Sequence, residues 1–204
     1  MRDKKRVAVL ISGRGSNLRS LIEAARAPDY PAEIALVISN KEDAGGLALA
    51  REAGIATKII SHKAFGSREE FDAAIDAALT DAKIALVAEA GFMRIHSEWF
   101  AKKWDGKLLN IHPSLLPAFP GIHVHQQALD AGVKISGCTV HFLTPELDSG
   151  PIIAQAAVPV LPDDTADTLA ARILAEEHKL YPASLKLVAE GKVRLQHRKA
   201  VFTA

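Results

Sequence analysis

Two short runs carry side chains suited to acid–base and anion-stabilising chemistry. Asn110-Ile111-His112-Pro113-Ser114-Leu115-Leu116-Pro117 sets an amide and an imidazole on alternate residues where an apolar run ends. Residues i and i+2 of a strand face the same way, so Asn110 and His112 address one small volume. Further on, Glu146-Leu147-Asp148-Ser149-Gly150 places a carboxylate in a turn-like segment after a second strand, from which Asp148 can return to that volume. An amide donor, a titratable imidazole and a carboxylate in one cleft form a device for stabilising a developing oxyanion. Plainer uses exist: a lone His is often structural, and Asn at a strand end is often a turn former. Zinc is a rival use of His112, His123, His125 and Asp148, but the chain has neither an H-E-x-x-H helix nor a cysteine cluster, and no metal is expected.

A second candidate is Ser12-Gly13-Arg14-Gly15-Ser16-Asn17, between the first strand and the first helix. Free backbone N–H groups and the helix dipole favour an anion there, and glycine permits its close approach. The third glycine of the dinucleotide fingerprint is missing, and Ser39-Asn40-Lys41 stands where a ribose-binding acid would end the second strand. A monophosphate cradle therefore fits better than a nicotinamide site, with a plain turn capped by Ser16 or Asn17 as the alternative. A third candidate is Ala90-Gly91-Phe92-Met93-Arg94-Ile95 at the end of the fourth strand. Phe92, Met93 and Ile95 could line a pocket for a flat heterocycle with Arg94 at its rim, or could be core. His141 alternates with Thr139 on a strand and could border the site; the remaining histidines read as surface or structural.

These residues need a frame. Apolar runs of strand length recur at 6–11, 34–38, 57–60, 84–88 and 108–111, separated by helical spacing at 18–25, 44–53, 68–79 and 97–102. The alternation predicts βαβ units in a doubly wound, mostly parallel sheet, and continuous apolar strands agree because such sheets are covered on both faces. After Ile111 the rhythm changes. A Pro-rich loop leads to a short helix near 125–131, then to strands at 134–143 and 151–160 that predict an antiparallel or mixed extension of the sheet. A long helix from about Thr165 to Glu190 follows, with Asp163, Asp164 or Thr165 as cap and Gly191 as its C′ residue. Pro182 inside it predicts a kink or break near Tyr181, and a short strand and loose tail end the chain.

The 204 residues are 49% hydrophobic and 24% charged, with 25 basic and 24 acidic side chains, which fits one large α/β domain. A formal charge of +1 gives no general argument for nucleic acid or membrane. The basic start Arg2–Arg6 runs into an apolar stretch too short for a signal peptide. Cys138 is the sole cysteine, so no intrachain disulfide can form, which suits a reducing cytoplasm.

Together these segments resemble the phosphoribosylglycinamide formyltransferases, a folate-dependent family of purine biosynthesis. The likeness runs through Ile11–Leu18, Ala90–Ile95, Asn110–Pro117, Glu146–Gly150, Gln155–Val160 and Glu176–Pro182. It implies the Rossmann-like formyltransferase fold as a single domain over 1–204, with a phosphate-binding half to about 100 and a folate-binding and catalytic half over about 101–190. The resemblance implies that Gly15, Ser16 and Asn17 hold the phosphate of glycinamide ribonucleotide and Glu177 its ribose side. It implies that Arg68, Met93, Arg94, Ile95, His96 and Asn110 contact folate, and that Asn110, His112 and Asp148 carry the chemistry. The co-substrate would be 10-formyltetrahydrofolate, without a metal, in a monomer or weak homodimer. Two positions depart from the family pattern: His96 stands where an aliphatic residue is usual, and Glu89 replaces an apolar residue. Ser149 stands where glycine is usual.

The implied reaction moves a formyl group to a neutral primary amine, with protonated His112 and the Asn110 amide donating to the oxyanion and Asp148 helping the proton move. Other readings remain. A methionyl-tRNA formyltransferase would carry a further C-terminal domain, and a formyltetrahydrofolate hydrolase an extra N-terminal module. A non-catalytic nucleotide-binding domain would keep the Gly15–Asn17 cradle without needing His112 or Asp148.

Overall fold

Strand β1 (Lys5–Ile11) is apolar through its last five residues because helices cover it on both sides. A computed structural model describes residues 4–203 of the chain, so Arg2 and Asp3 of the basic start lie outside the described residues. Four more parallel strands follow: β2 (Ala32–Ser39), β3 (Ala56–Ile59), β4 (Leu86–Glu89) and β5 (Leu108–His112). Then β6 (Ile135–Phe142) and β7 (Ile152–Pro159) pair antiparallel. The seven-stranded order is β3-β2-β1-β4-β5-β6-β7. The predicted doubly wound sheet with an antiparallel extension is thus the observed one.

The helices divide between the faces. On one side, α1 (Ser16–Ala25), α2 (Gly46–Glu52) and α6 (Ala166–Ala189) pack Leu18, Leu21, Leu47 and Leu185 onto Val7, Val9 and Ile11. On the other, α3 (Arg68–Asp81) and α4 (Glu98–Lys103) pack Phe71, Ile75 and Phe100 onto Ala8, Leu10 and Leu108. A smaller cluster joins α5 (Val124–Asp130) to β6, β7 and α6, and holds the buried Cys138. The first cluster takes side chains from Val7 to Val193, so the two expected halves share one core. Burying each such Leu or Ile contributes roughly 1.5–3 kcal/mol.

Two expectations near the C-terminus are corrected. Helix α6 runs uninterrupted past Pro182. Buried Tyr181 donates its hydroxyl to the Glu89 and Leu109 carbonyls, and Tyr30 Oη donates to the Pro182 carbonyl at 2.7 Å. These tertiary bonds hold both sides of the proline in place, against its local cost. The tail is a hairpin, β8 (Val193–Gln196) with β9 (Lys199–Phe202). At the front of α6, Thr165 is the cap, closing a box with Thr168, while Asp164 binds Arg172 instead.

Strand order reverses between β1 and β4, and crevices at the C-terminal ends of such strands are where open α/β sheets bind ligands. The loops after β1, β4 and β5 all open there.

Candidate active site

Strand β5 ends in the pair anticipated from the sequence. Asn110 and His112 sit two apart, on the sheet face away from Leu109 and Ile111, which belong to the α1/α6 side. Each is oriented by a specific partner. His112 Nε2 lies 2.9 Å from the Phe119 carbonyl oxygen, which can only accept, so Nε2 carries a proton. Its Nδ1 faces Asp148 Oδ2 at 3.5 Å, beyond the roughly 2.7–3.2 Å of a formed N–H···O bond. The ring is thereby pinned at one nitrogen and open at the other.

Asp148 reaches that position with φ 47°, a left-handed conformation that Asp tolerates better than most side chains. The Gly121 N–H donates to its Oδ2 at 2.8 Å. Gly150 closes the same loop so tightly that a Cβ there would lie 1.7 Å from the Phe142 carbonyl oxygen. The loop from Pro113 to Gly121 is itself tied down. Ser114 Oγ donates to the Ala118 carbonyl, Thr139 Oγ1 donates to the Ser114 carbonyl and accepts from the Leu116 N–H, and Gln155 Nε2 donates to the Leu116 carbonyl.

Asn110 is oriented by His141, its cross-strand partner on β6. His141 Nδ1 donates to the Phe142 carbonyl at 2.9 Å, which leaves the Nε2 lone pair to accept from Asn110 Nδ2 at 3.3 Å. Burial pushes the His141 imidazole below its usual range, which suits this neutral tautomer. The Asn110 amide still has its second N–H and its oxygen for the cleft.

The loop after β1 forms the other half of the site. Gly15 caps α1 at φ 80°, and a Cβ there would stand 2.7 Å from Gly46 Cα at the start of α2. The first bond of α1 runs from the Arg19 N–H to the Gly15 carbonyl, so Ser16, Asn17 and Leu18 keep N–H groups free of intrahelical partners. No acidic side chain occupies that first turn. The arrangement suits an anion. Asn17 Nδ2 donates to Glu177 Oε2 at 2.6 Å, while Asn17 Oδ1 is buried and has no hydrogen-bond partner among the described residues. Burial pushes the Glu177 carboxyl up, against the pull of Asn17 and of the nearby His112 charge.

The loop after β4 settles the open choice at Phe92 and departs from the sequence reading at His96. Met93 and Ile95 are exposed, at 67% and 51%, and Arg94 is exposed beside them. Phe92 is core: it is buried and stacked on Phe71 and His96. The His96 side chain does not line the cleft either, being buried with Nδ1 2.7 Å from Asp72 and Nε2 2.6 Å from Glu89. Any ligand contact there is left to its backbone. Arg68 is exposed at the first turn of α3. Ser12, the first residue of the predicted phosphate loop, accepts the Met93 N–H at its Oγ and donates to Asn40. Phe119 and Gly121 were missed, because both act through backbone atoms that no residue type announces.

Among the described residues no group of His, Cys, Asp and Glu side chains has the arrangement of a metal site, and no helix is long and apolar enough to cross a membrane.

This is an open, doubly wound α/β fold that brings Asn110, His112 and Asp148 together at the C-terminal end of β5. Residues 5–185 match the family described as formyl transferase, and the chain belongs to that family. It is 45% identical over 194 residues to phosphoribosylglycinamide formyltransferase of Escherichia coli (strain K12), covering 95% of this chain and 92% of that one. It is 55% identical over 192 residues to the trifunctional purine biosynthetic protein adenosine-3 of Homo sapiens, covering 94% of this chain but spanning only 19% of that protein's length. In structure it resembles glycinamide ribonucleotide transformylase 1 from Symbiobacterium toebii, with a TM-score of 0.96, 45% identity, and 100% and 96% of the two chains covered.

Proposed function

We propose that the protein transfers a formyl group from 10-formyltetrahydrofolate to the primary amine of glycinamide ribonucleotide in purine biosynthesis. The observation that carries this reading is the His112 ring, pinned by Phe119 at Nε2 and turned by Nδ1 toward Asp148, with Asn110 on the same strand face.

The ribonucleotide phosphate sits on the free N–H groups of Ser16, Asn17 and Leu18, and the ribose side meets Glu177, already oriented by Asn17. The folate enters beside Arg68 and the exposed Met93–Ile95 edge. The amine, neutral in a large fraction near pH 8, attacks the formyl carbon and forms the new C–N bond. The carbonyl oxygen becomes an oxyanion, which accepts from His112 Nδ1–H and from the free Asn110 N–H. One such donor is worth about 3–4 kcal/mol in the transition state. Asp148 takes the proton that the attacking nitrogen sheds and returns it to the folate nitrogen as the old C–N bond breaks. The residues thus need neither a covalent intermediate nor a metal for this path. A cytoplasmic setting belongs to the same reading and suits the free, buried Cys138 thiol.

The test is to incubate the protein with a formylated folate and follow deformylation with and without glycinamide ribonucleotide. Deformylation that requires the ribonucleotide and yields its formylated form is the expected result. Deformylation that proceeds equally without it would make the protein a hydrolase.

A further inference from the structure

Glu89 and His96 are a single feature in space. Glu89 is the last residue of β4 and His96 directly precedes Ser97, the cap of α4, so the pair brackets the loop 90–95. The imidazole lies between two carboxylates, with Nε2 on Glu89 Oε1 at 2.6 Å and Nδ1 on Asp72 Oδ1 at 2.7 Å. Asp72 Oδ2 also accepts the Ser97 N–H. With Glu89 and Asp72 ionised, both ring nitrogens face acceptors, so both carry protons and the ring is a cation; burial pushes the Glu89 carboxyl up, and the His96 charge opposes that push. Phe92 and Phe100 stack on it at 5.5 and 4.3 Å, each within 19° of parallel. All three ionic side chains are buried.

Burying three charges is costly, and an apolar pair would fill the same space with less desolvation. What the ionic pair adds is direction: two short charge-assisted bonds fix the angle and separation of the loop's stems. On the opposite side, the loop is already bonded to β1, through the Gly91 carbonyl to the Ser12 N–H and the Met93 N–H to Ser12 Oγ. The exposed Met93–Ile95 edge is therefore suspended between Ser12 and the Glu89–His96 clamp.

We propose that Glu89 and His96 are positioning residues that clamp the stems of loop 90–95 and thereby set the affinity for the formylated folate. Neither side chain touches the ligand. The proposal rests on the reading of Met93–Ile95 as the folate edge.

The experiment is a double-mutant cycle of Glu89→Leu, His96→Leu and the double variant, reading KM for each substrate. His96→Leu is expected to raise KM for 10-formyltetrahydrofolate about tenfold, because it leaves Glu89 buried with no cation. KM for glycinamide ribonucleotide should stay within about twofold. The double variant, with an apolar pair in place of the ionic one, should bring the folate KM back to within about threefold of the original. Folded single variants with unchanged KM for both substrates would overturn the clamp. A rise confined to the ribonucleotide would leave the clamp standing and overturn the assignment of the loop to folate. If His96→Leu fails to fold, Glu89→Gln, which keeps the His96–Asp72 pair, decides the matter: a raised folate KM supports the clamp and an unchanged one overturns it.

Discussion

His112 and Asp148 meet because one loop grips both of them. The Phe119 carbonyl accepts from His112 Nε2, and two residues later the Gly121 N–H donates to the Asp148 oxygen that faces His112 Nδ1 at 3.5 Å. The imidazole and the carboxylate are thus set by the same stretch of backbone, although helix α5 and strand β6 lie between them in sequence. That gap of 3.5 Å leaves Nδ1 and the carboxylate side by side without a formed hydrogen bond; in the proposed reaction Nδ1 meets the incoming oxygen and the carboxylate handles the proton.

Replacing Asp148 by Asn keeps an oxygen for Gly121 but removes the proton acceptor. Turnover is expected to fall about 10²-fold or more, while KM for both substrates changes less than threefold. Single-turnover measurement of formyl transfer checks this, and turnover within twofold of the original would remove Asp148 from the proton path.

The anion cradle predicts a different pattern. Asn17→Ala deletes the amide that binds Glu177 and leaves that buried carboxylate without its 2.6 Å partner. KM for the ribonucleotide should rise about tenfold or more with little change for folate. The reverse outcome would misplace the phosphate site.

Stability should carry the signature of the buried imidazolium. Burial alone would press His96 toward neutrality, but Glu89 and Asp72 outweigh it and hold its pKa up at about 9, against an ordinary 6.5. Asp72 faces it from α3 and Glu89 from β4, with Asp148 also acting on Glu89; the rings above and below are uncharged Phe92 and Phe100. A raised pKa means a contribution fully present below about 6.5 and lost as pH rises through about 9, on the order of 3 kcal/mol in all. Denaturant midpoints measured from pH 6.5 to 9.5 should therefore fall, and the Glu89→Leu/His96→Leu variant should show a flatter profile. Equal slopes in the two proteins would contradict the imidazolium assignment.

How much of this the sequence carried depends on the kind of interaction. Strands β1, β2, β4 and β5 were legible because burial on both faces writes a continuous apolar run, and each expected boundary falls within about two residues of the observed one. Asn110 and His112 were legible because alternation on a strand fixes a shared face. The course of α6 through Pro182 was not, since it depends on hydroxyls of Tyr30 and Tyr181 reaching distant carbonyls. The second strand of the terminal hairpin was missed because Lys199–Phe202 is only four residues long and is defined by pairing with β8. Glu89 and His96 each stood out as an oddity, but their complementarity needed Asp72, which sits on a helix that reads simply as amphipathic.

The most direct test of the oxyanion device is turnover and ribonucleotide affinity in Asn110→Ala and His112→Ala, with kcat from steady-state formyl transfer and Kd from calorimetry. The account predicts that each substitution lowers kcat by about 10²–10³-fold while Kd for glycinamide ribonucleotide stays within about threefold. Near-normal kcat with lost ribonucleotide binding would contradict it.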